Sequence, residues 1–531
     1  MSENFPLSTG VQLRDSLDPS AMRDEVLIVG AGPTGLVMAL WLTKIGIRVR
    51  IIDKAPEPGT TSRALAVQAR TLELYRQLDL ADAVIARGLR AEAMNMWVQG
   101  ERRARVPFGA IGAGMTPYPY LEIFPQDEHE RLLIERLEAL GVSVERQSEL
   151  VAFSDDGERI KARIHTAGGK EEVSESSYVV GCDGARSTVR QQIGVNFPGG
   201  TYRQVFYVAD VEASGLAVNG ELNVALDRAD FILVFPMTGK GRVRLVGVVS
   251  DQRAEHEETL TFGDVSQTVI DALQIHVDKV NWFSTYRVHH RVADHFRKGR
   301  AFLAGDAGHI HSPAGGQGMN TGIGDAINLA WKLAAVVRDQ AQDELLDSYE
   351  AERIGFARRL VQTTDRIFTF ATAEGHVADF VRTRVAPFVL PIATHIGAAT
   401  EFMFRTVSQT MLNYRNGPLS EGKAGDVQGG DRLPWVAADG VDNYDSLSAI
   451  TWQVHLYGTA KDSLVRWCAT RRTPLHAFPW AAPHEDAGLA RDAAYLLRPD
   501  TYVAMAEPSG SAEALDRYLS TRRIHLGAFA R

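Results

Sequence analysis

Three stretches of the chain place glycines beside an acidic residue at spacings that could bind a phosphate-containing ligand. In the first, GAGPTG at 30–35 precedes Asp53, which follows an apolar run. If a strand leads into this stretch, Gly30 makes the tight turn, Gly32 lets backbone approach a pyrophosphate, and Gly35 lets the next helix lie close. The N-terminus of that helix then directs N–H groups and a positive dipole end at the phosphates. Asp53 would accept hydrogen bonds from an adenosine ribose.

The residues around this turn predict the elements that must position it. Val26–Val29 reads as a short strand, Leu36–Lys44 has helical spacing, Gly46 closes that helix, and Val49–Ile52 reads as a second strand. A glycine pattern alone is weak evidence, since a purely structural turn uses the same residues. With strand, turn, helix, strand and acid in register, the sequence predicts a dinucleotide-binding unit. The pattern leaves open whether that dinucleotide is NAD or a flavin.

Two further apolar runs, at 178–180 and 301–304, are each followed by an aspartate next to a glycine. YVVGCDGARSTVR occupies 178–190, and GDAGHIHSPAGGQGMNTG occupies 305–322. Asp183 and Asp306 could point past the carboxyl ends of their strands, where open α/β sheets bind ligands, or could simply be turn and cap residues. Six of the eighteen residues at 305–322 are glycine, and ordering so many glycines has a high entropic cost. We therefore expect this loop to bring its backbone close to a ligand.

Composition narrows the class of protein. The chain has 531 residues, a formal net charge of −9, and 45% hydrophobic and 23% charged residues, which predicts two to four globular domains. The negative charge argues against nucleic acid or anionic membrane as a partner. Residues 1–23 read as a flexible leader, and no apolar run is long enough to span a membrane, so we expect a cytoplasmic location. Cys182 and Cys468 are too few for a disulfide framework, and we expect no metal site.

Taken in order, the three motifs resemble those of the FAD-dependent aromatic hydroxylases, monooxygenases with the fold of p-hydroxybenzoate hydroxylase. Three flanking segments resemble the family as well: RALAVQARTLELYRQLDL at 63–80, FPQDEHERLLIERL at 124–137 and LLDSYEAER at 345–353. The resemblance covers residues 24–420, and LLRPDTYVA further on resembles a thioredoxin-like domain found in the phenol-hydroxylase branch. No C-x-x-C is present, so we interpret that domain as structural or dimer-stabilising.

The resemblance implies a mixed α/β architecture with three domains. Residues 24–196 and 293–420 would form a discontinuous Rossmann-type FAD-binding domain with a helical extension. Residues 197–292 would form an antiparallel β-sheet domain for the substrate, because alternating segments there read as strands. Residues 421–531 would form the thioredoxin-like domain. The family also implies a possible homodimer.

The resemblance further implies which residues contact FAD. Pro313 would lie alongside the isoalloxazine, while the helix beginning near Met319–Asn320 would direct its positive end at the N1–C2=O edge of the flavin. Asp306 would bind the ribityl chain. The full implied set is Gly30, Gly32, Pro33, Thr34, Gly35, Asp53, Lys54, Arg63, Gln126, Asp183, Asp306, Pro313, Gly316, Gly318, Met319 and Asn320.

The implied reaction uses NAD(P)H and O2 to insert one oxygen atom into a phenolic or polycyclic aromatic substrate through a flavin C4a-hydroperoxide. The chain has no second G-x-G-x-x-G motif after a strand that could bind NAD(P)H. The hydroxylase family likewise lacks one, because its nicotinamide cofactor binds only transiently. Tyr118, Tyr286 and His290 could contact a phenolic hydroxyl, although such residues in strands are more often packing residues. A related oxygenation (Baeyer–Villiger insertion, epoxidation or antibiotic inactivation) and a non-oxygenase flavin-binding role remain as alternatives.

Overall fold

A computed structural model gives the fold, and it describes residues 24–59, 64–226, 231–249, 260–311, 316–372 and 397–526. The predicted leader at 1–23 and the predicted FAD contacts Arg63 and Pro313 lie outside the described residues.

Strands and helices alternate in the first part of the chain, and strands dominate the middle. The strands are β1 Val26–Val29, β2 Val49–Ile52, β3 Ala66–Val67, β4 Leu89–Ala91, β5 Ala93–Val98, β6 Glu101–Pro107, β7 Leu121–Ile123, β8 Glu149–Asp155, β9 Ile160–His165, β10 Glu171–Ser176, β11 Tyr178–Gly181, β12 Gly199–Ser214, β13 Leu222–Leu226, β14 Phe231–Pro236, β15 Arg242–Val249, β16 His276–Val292, β17 Arg297–Lys298, β18 Ala301–Leu303, β19 His309–Ile310, β20 Glu421–Ala424, β21 Val427–Gln428, β22 Ala437–Ala438, β23 Val441–Asp442, β24 Gln453–Tyr457, β25 Leu475–Phe478, β26 Ala494–Leu497 and β27 Val503–Glu507. The α-helices are α1 Pro33–Lys44, α2 Ala69–Tyr75, α3 Ala81–Arg87, α4 Phe108–Gly112, α5 Gln126–Ala139, α6 Thr188–Gln192, α7 Gln267–Ala272, α8 Gly318–Val337, α9 Asp347–Thr372, α10 Gly397–Val407, α11 Asp462–Thr470, α12 Ala482–Asp486 and α13 Ala512–Thr521.

A five-stranded sheet brings the three sequence motifs together. Its order is β17-β18-β11-β1-β2, and all strands but the edge strand β17 run parallel. Val29 pairs with Gly181, which pairs with Leu303, so β1, β11 and β18 end at the same edge. The glycine turn, Asp183 and Asp306 therefore emerge side by side, and the predicted strands β1, β2, β11 and β18 are confirmed.

An eight-stranded sheet forms the middle of the molecule, in the order β19-β16-β12-β15-β14-β13-β5-β6. The sequence analysis confined the substrate sheet to residues 197–292 and described it as antiparallel. The sheet instead also takes in β5 and β6, and β13 pairs with β5 in parallel. The sequence could not show this, since the pairing joins Leu222–Leu226 to a segment more than a hundred residues earlier. One face of the sheet packs on α7 and its flanking residues.

The C-terminal part has a sheet in the order β21-β20-β27-β26-β24-β25. From β24 onward the chain runs strand, helix, strand, helix, strand, strand, helix, with β24 and β25 parallel and β26 antiparallel to both of its neighbours. The thioredoxin-like character of this part stays a prediction. Across the described residues, no helix is long and apolar enough to cross a membrane.

Buried charges join the C-terminal part to α8 and α9. Arg498 donates to Glu352 Oε1 at 2.6 Å and to Asp500 Oδ2 at 2.5 Å, and Lys332 Nζ lies 2.9 Å from Glu352 Oε2. Trp331 Nε1 donates to Asp500 at 3.0 Å. All five side chains are buried. Since charges taken out of water need close partners, this network ties the C-terminal part firmly to α8.

Glu122 on β7 is a buried acid whose two carboxylate oxygens have no hydrogen-bond partner among the described residues. Burial raises its pKa to about 7, with Arg90 offsetting part of the effect. Between pH 4.5 and 7 the unfolded chain loses this proton while the folded chain keeps it. We therefore expect the free energy of unfolding to fall by up to about 3 kcal/mol as pH rises from 4.5 to 7, and then to level off.

The Glu122→Gln variant removes the titrating group. Urea unfolding of both proteins at pH 5 and pH 8 should give similar stabilities at pH 5 and a more stable variant at pH 8. Equal pH dependence in the two proteins would contradict the assignment.

Candidate active site

A cleft of about 670 Å³ lies between the motif-bearing edge of the parallel sheet and one face of the eight-stranded sheet. Backbone and side chains of the glycine turn, of both acid–glycine loops and of the first turn of α8 line one side. Strands β14, β15 and β16 line the other. Of the predicted FAD contacts, the cleft is lined by Gly32, Pro33, Thr34, Gln126, Asp306, Gly316, Gly318 and Met319.

The three fingerprint glycines have different surroundings. A Cβ on Gly30 would lie 2.4 Å from the Cys182 carbonyl oxygen, and one on Gly35 would lie 2.0 Å from the Gly30 carbonyl oxygen. These two glycines are needed for close packing, and Gly30 also has a positive φ of 103°. A Cβ on Gly32 would meet nothing within 4 Å. Gly32 is the N-cap of α1, has no side-chain cap and lines the cleft, so its backbone suits a pyrophosphate.

Asp53 connects the turn to the end of β2. Its carboxylate accepts hydrogen bonds from the Ala31 N–H at 2.7 Å and the Ala55 N–H at 2.8 Å. Arg146 lies 3.8 Å away. The carboxylate thus fixes the glycine turn directly. Neither Asp53 nor the exposed Lys54 is among the residues that line the cleft.

The two strand-end acids differ in what they contact. Asp183 Oδ2 accepts from the N–H groups of Thr188 and Val189 at 2.6 and 3.2 Å, which makes it a cap of α6. Its Oδ1 is buried without a hydrogen-bond partner in the described structure, and burial raises the pKa of this carboxyl. Asp306 is exposed in the turn Gly305–Ala307, whose other two residues are buried, and it lines the cleft. Asp306 is therefore the acid that a ligand in the cleft would meet.

Asp325 on α8 clamps the loop that carries Asp306. One carboxylate oxygen accepts from the Gly305 N–H at 3.0 Å and lies 2.6 Å from His309 Nε2, and the other lies 2.6 Å from Arg353 Nε. Burial would raise the pKa of Asp325, but Arg353 and His309 outweigh it and lower the pKa to about 2. The carboxylate thus stays ionised in the protein interior.

The sequence analysis missed Asp325. Its one available signal was an acid in the apolar helix after the glycine loop, with an arginine in the SYEAER segment. His309 Nε2 contacts the Asp325 carboxylate, so His309 belongs to this clamp.

The start of α8 meets the cleft at Gly316, Gly318 and Met319, and Gly316 has a positive φ of 62°. Asn320 does not line the cleft. Its buried amide accepts from the Gln68 N–H at 2.9 Å and donates to the Ala66 carbonyl at 2.8 Å. Asn320 therefore ties the segment at 64–68, which forms part of the cleft wall, to the first turn of the helix.

The structure separates the three proposed substrate residues. Tyr286 on β16 lines the cleft, while Tyr118 and His290 do not. Tyr118 is buried against Tyr120, and burial raises its pKa to about 12. The His290 ring contacts Tyr202 at a tilt of 58°, with ring centroids 4.7 Å apart. Among the described residues, no group of three or more His, Cys, Asp or Glu side chains is placed to bind a metal ion.

The fold and the cleft define a dinucleotide-binding protein in which a second sheet encloses the space beside the nucleotide site. A family model described as an FAD binding domain matches residues 23–364. The chain is 37% identical over 523 residues to 6-methylpretetramide 4-monooxygenase of Streptomyces rimosus, an alignment covering 92% of this chain and 91% of that protein. The chain belongs to this family of FAD-dependent aromatic monooxygenases.

Solved structures agree with this assignment. The anhydrotetracycline hydroxylase OxyS from Streptomyces rimosus superposes with a TM-score of 0.73 at 28% identity, covering 94% of this chain and 99% of that one. A ternary complex of aklavinone-11 hydroxylase with FAD and aklavinone superposes with a TM-score of 0.77 at 25% identity, with the same coverage.

When bound, FAD supplies the redox chemistry by which NAD(P)H and O2 place one oxygen atom on an aromatic ring. The chain's own residues bind and orient. Bare backbone at Gly32 and at the start of α8 would admit the cofactor, and the eight-stranded sheet would screen the reacting ring from water. Asp53 and Asp325 fix the neighbouring turn and loop through backbone N–H groups.

Replacing Gly32 with valine tests the nucleotide site. Because a Cβ there meets no protein atom within 4 Å, the Gly32→Val protein should fold normally yet purify colourless, as the side chain would occupy the proposed pyrophosphate space. Absorbance at flavin wavelengths and thermal unfolding of the apoprotein measure the two effects. Gly168→Val is a matched control, since its Cβ also meets nothing within 4 Å, and it should keep its FAD. A yellow Gly32→Val protein would refute the site.

Replacing Asp325 with asparagine tests the clamp. Removing the charge leaves Arg353 buried without its counter-ion, so Asp325→Asn should lower the free energy of unfolding by about 3–5 kcal/mol and weaken FAD binding. Asp347→Asn, which breaks an exposed pair with Arg297, should cost less than about 1 kcal/mol. Denaturant unfolding of the two variants provides the comparison, and equal losses would argue against a clamp.

Proposed function

We propose that this enzyme hydroxylates a fused-ring phenolic substrate with NAD(P)H, FAD and O2. The observation that carries the proposal is the wall of the cleft formed by the eight-stranded sheet. Nine residues of the strands β14, β15 and β16 line the cleft. Six of them are apolar or carry a phenol or indole ring: Leu233, Phe235, Val246, Trp282, Tyr286 and Val288, with Ser284, Arg287 and His289 as the others.

The chemistry of this wall favours a broad, flat ligand of low polarity. Trp282 and Tyr286 offer ring faces and edges, which suit aromatic partners at centroid distances of about 4.5–7 Å. Ser284 and Tyr286 each carry a hydroxyl that can orient a substrate hydroxyl, and Arg287 and His289 add a guanidinium and an imidazole to the wall.

The names of the relatives support the same substrate class. The Streptomyces rimosus relative acts on 6-methylpretetramide, the OxyS structure is of an anhydrotetracycline hydroxylase, and the ternary complex contains aklavinone. We bring this class to the present chain because six of the nine strand residues that line its cleft are apolar or carry a phenol or indole ring.

We assign roles to cleft residues on the same basis. Gly32, Pro33 and Thr34 would contact the pyrophosphate, Gln126 and Asp306 the ribityl chain, and Gly316, Gly318 and Met319 the flavin ring, as the family resemblance implies and the lining of the cleft supports. Tyr286 would donate a hydrogen bond to the substrate. We also propose a cytoplasmic homodimer, which light scattering of the purified protein would test for oligomeric state.

NAD(P)H oxidation by the purified holoenzyme tests the function, measured in air with a panel of single-ring and fused-ring phenols. A fused-ring phenol should accelerate oxidation sharply and release little hydrogen peroxide. Acceleration with stoichiometric peroxide would identify a mimic that is not hydroxylated. Bound FAD with no stimulation by any fused-ring phenol would count against the proposal.

The Tyr286→Phe variant tests the substrate contact. Loss of the hydroxyl should lower kcat/KM for the best phenol about tenfold while FAD content is unchanged, because one hydrogen bond to the substrate is lost. Tyr118→Phe is the matched control, since Tyr118 is remote from the cleft lining. An equal effect of the two substitutions would mean that Tyr286 has no special role.

A further inference from the structure

Gln317, the residue immediately before α8, lines the cleft, and its amide is fixed by residues far along the chain. The side chain is 5% exposed. Its Nε2 donates to the Val407 carbonyl at 2.8 Å, and its Oε1 accepts from Gln409 Nε2 at 2.5 Å. Both ends of the amide are therefore oriented by the last residue of α10 and the short segment that follows it.

Gln409 also contacts the first turn of α8 through Thr321. Its Nε2 lies 3.2 Å from Thr321 Oγ1, and that hydroxyl donates to the Gln317 carbonyl at 2.9 Å. Gln409 thus reaches the side chain of Gln317 directly and its backbone through Thr321. These contacts link the last residue before α8 to the first turn of the helix.

Gln409 adopts a backbone conformation that residues other than glycine rarely take. Its φ is 60°, and its side chain is buried. A left-handed conformation in a residue other than glycine is unfavourable by about 1–2 kcal/mol, so surrounding contacts must stabilise it, and such residues are concentrated at functional sites. Here the contacts that compensate include those to Gln317 and Thr321.

Gln317 is the N-cap of α8 and lines the cleft, so the orientation of its side chain affects the cleft. An N-cap side chain commonly turns back to accept a hydrogen bond from the first turn of its own helix. Gln317 is the N-cap of α8, yet its side chain makes no such bond and is instead directed to Val407 and Gln409. The orientation of this amide at the cleft is consequently set from outside the glycine loop.

We propose that Gln409 is a positioning residue for the flavin site and acts through Gln317. It fixes the Gln317 amide and the first turn of α8 where they meet the cleft. This inference rests on the proposed placement of the flavin ring beside Gly316, Gly318 and Met319. Gln409 itself touches neither cofactor nor substrate.

The same segment also reaches the other flavin-facing loop. Arg353 donates to the Tyr414 hydroxyl at 3.0 Å, and Arg353 pairs with Asp325, which accepts from the Gly305 N–H. Residues 407–414 therefore contact the start of α8 directly and the loop that carries Asp306 through Arg353 and Asp325. A positioning role for the segment follows from this double attachment.

A double-mutant cycle on the holoenzyme tests the proposal. The variants are Gln409→Asn, Gln317→Leu and the pair. Asparagine tolerates a positive φ well and so preserves the fold, but it is one methylene too short to reach Gln317. The control is Gln274→Asn, because Gln274 has a φ of 51° and is exposed. The measurements are the FAD dissociation constant, the midpoint potential of bound FAD and thermal unfolding of the apoprotein.

We expect Gln409→Asn and Gln317→Leu each to weaken FAD binding about tenfold and to shift the midpoint potential in the same direction. The double variant should bind no more weakly than the poorer single variant, since the two residues act as one unit. The control should match wild type.

Additive losses in the double variant, or an unchanged dissociation constant and potential in Gln409→Asn, would overturn the inference. A change in thermal unfolding alone would do so as well, since it would reduce Gln409 to a structural role. These outcomes differ from failure of the flavin site itself, which a yellow Gly32→Val protein would reveal.

Discussion

The ion pair between Asp325 and Arg353 is the interaction on which the rest of the site depends. It lies in the interior between α8 and α9, where an unpaired charge would be strongly destabilising. Its carboxylate also accepts from the Gly305 N–H and contacts His309, so one charged group fixes both ends of the turn that carries Asp306. A glycine-rich loop gains close approach to a ligand but loses order, and this clamp restores the order without placing a side chain in the cleft.

A second network of buried charges joins the C-terminal part of the chain to α8 and α9. Arg498 and Asp500 meet Glu352 and Lys332 in a region that excludes water, and burial lowers the pKa of Lys332 to about 8 despite the nearby carboxylate. Glu352 and Arg353 are adjacent on α9, so the two networks share one helix. The C-terminal part is thereby coupled to the helix whose first turn meets the cleft.

The two sides of the cleft differ in the groups that they present to a ligand. The parallel-sheet side presents backbone and acids to a nucleotide, and its identity is fixed by geometry that only glycine permits at Gly30 and Gly35. The opposite side is a strand surface, and Leu233, Tyr286 and Val288 on it also pack in a hydrophobic cluster of their own. In the proposed arrangement, affinity for the cofactor and choice of substrate are set by different residues.

The sequence by itself determined the elements that local chemistry specifies. Glycine spacing, apolar runs and strand-end acids placed β1, β2, β11 and β18 correctly, and family resemblance identified FAD as the cofactor. Only the tertiary structure decided that Asp183 caps α6 while Asp306 lines the cleft, that Tyr286 reaches the cleft while Tyr118 does not, and that β5 and β6 join the substrate sheet. It also revealed Asp325 and Gln409. The physical reason is that a turn or a strand is encoded within a few neighbouring residues, whereas a clamp, a wall or a buried partner depends on residues that only folding brings together.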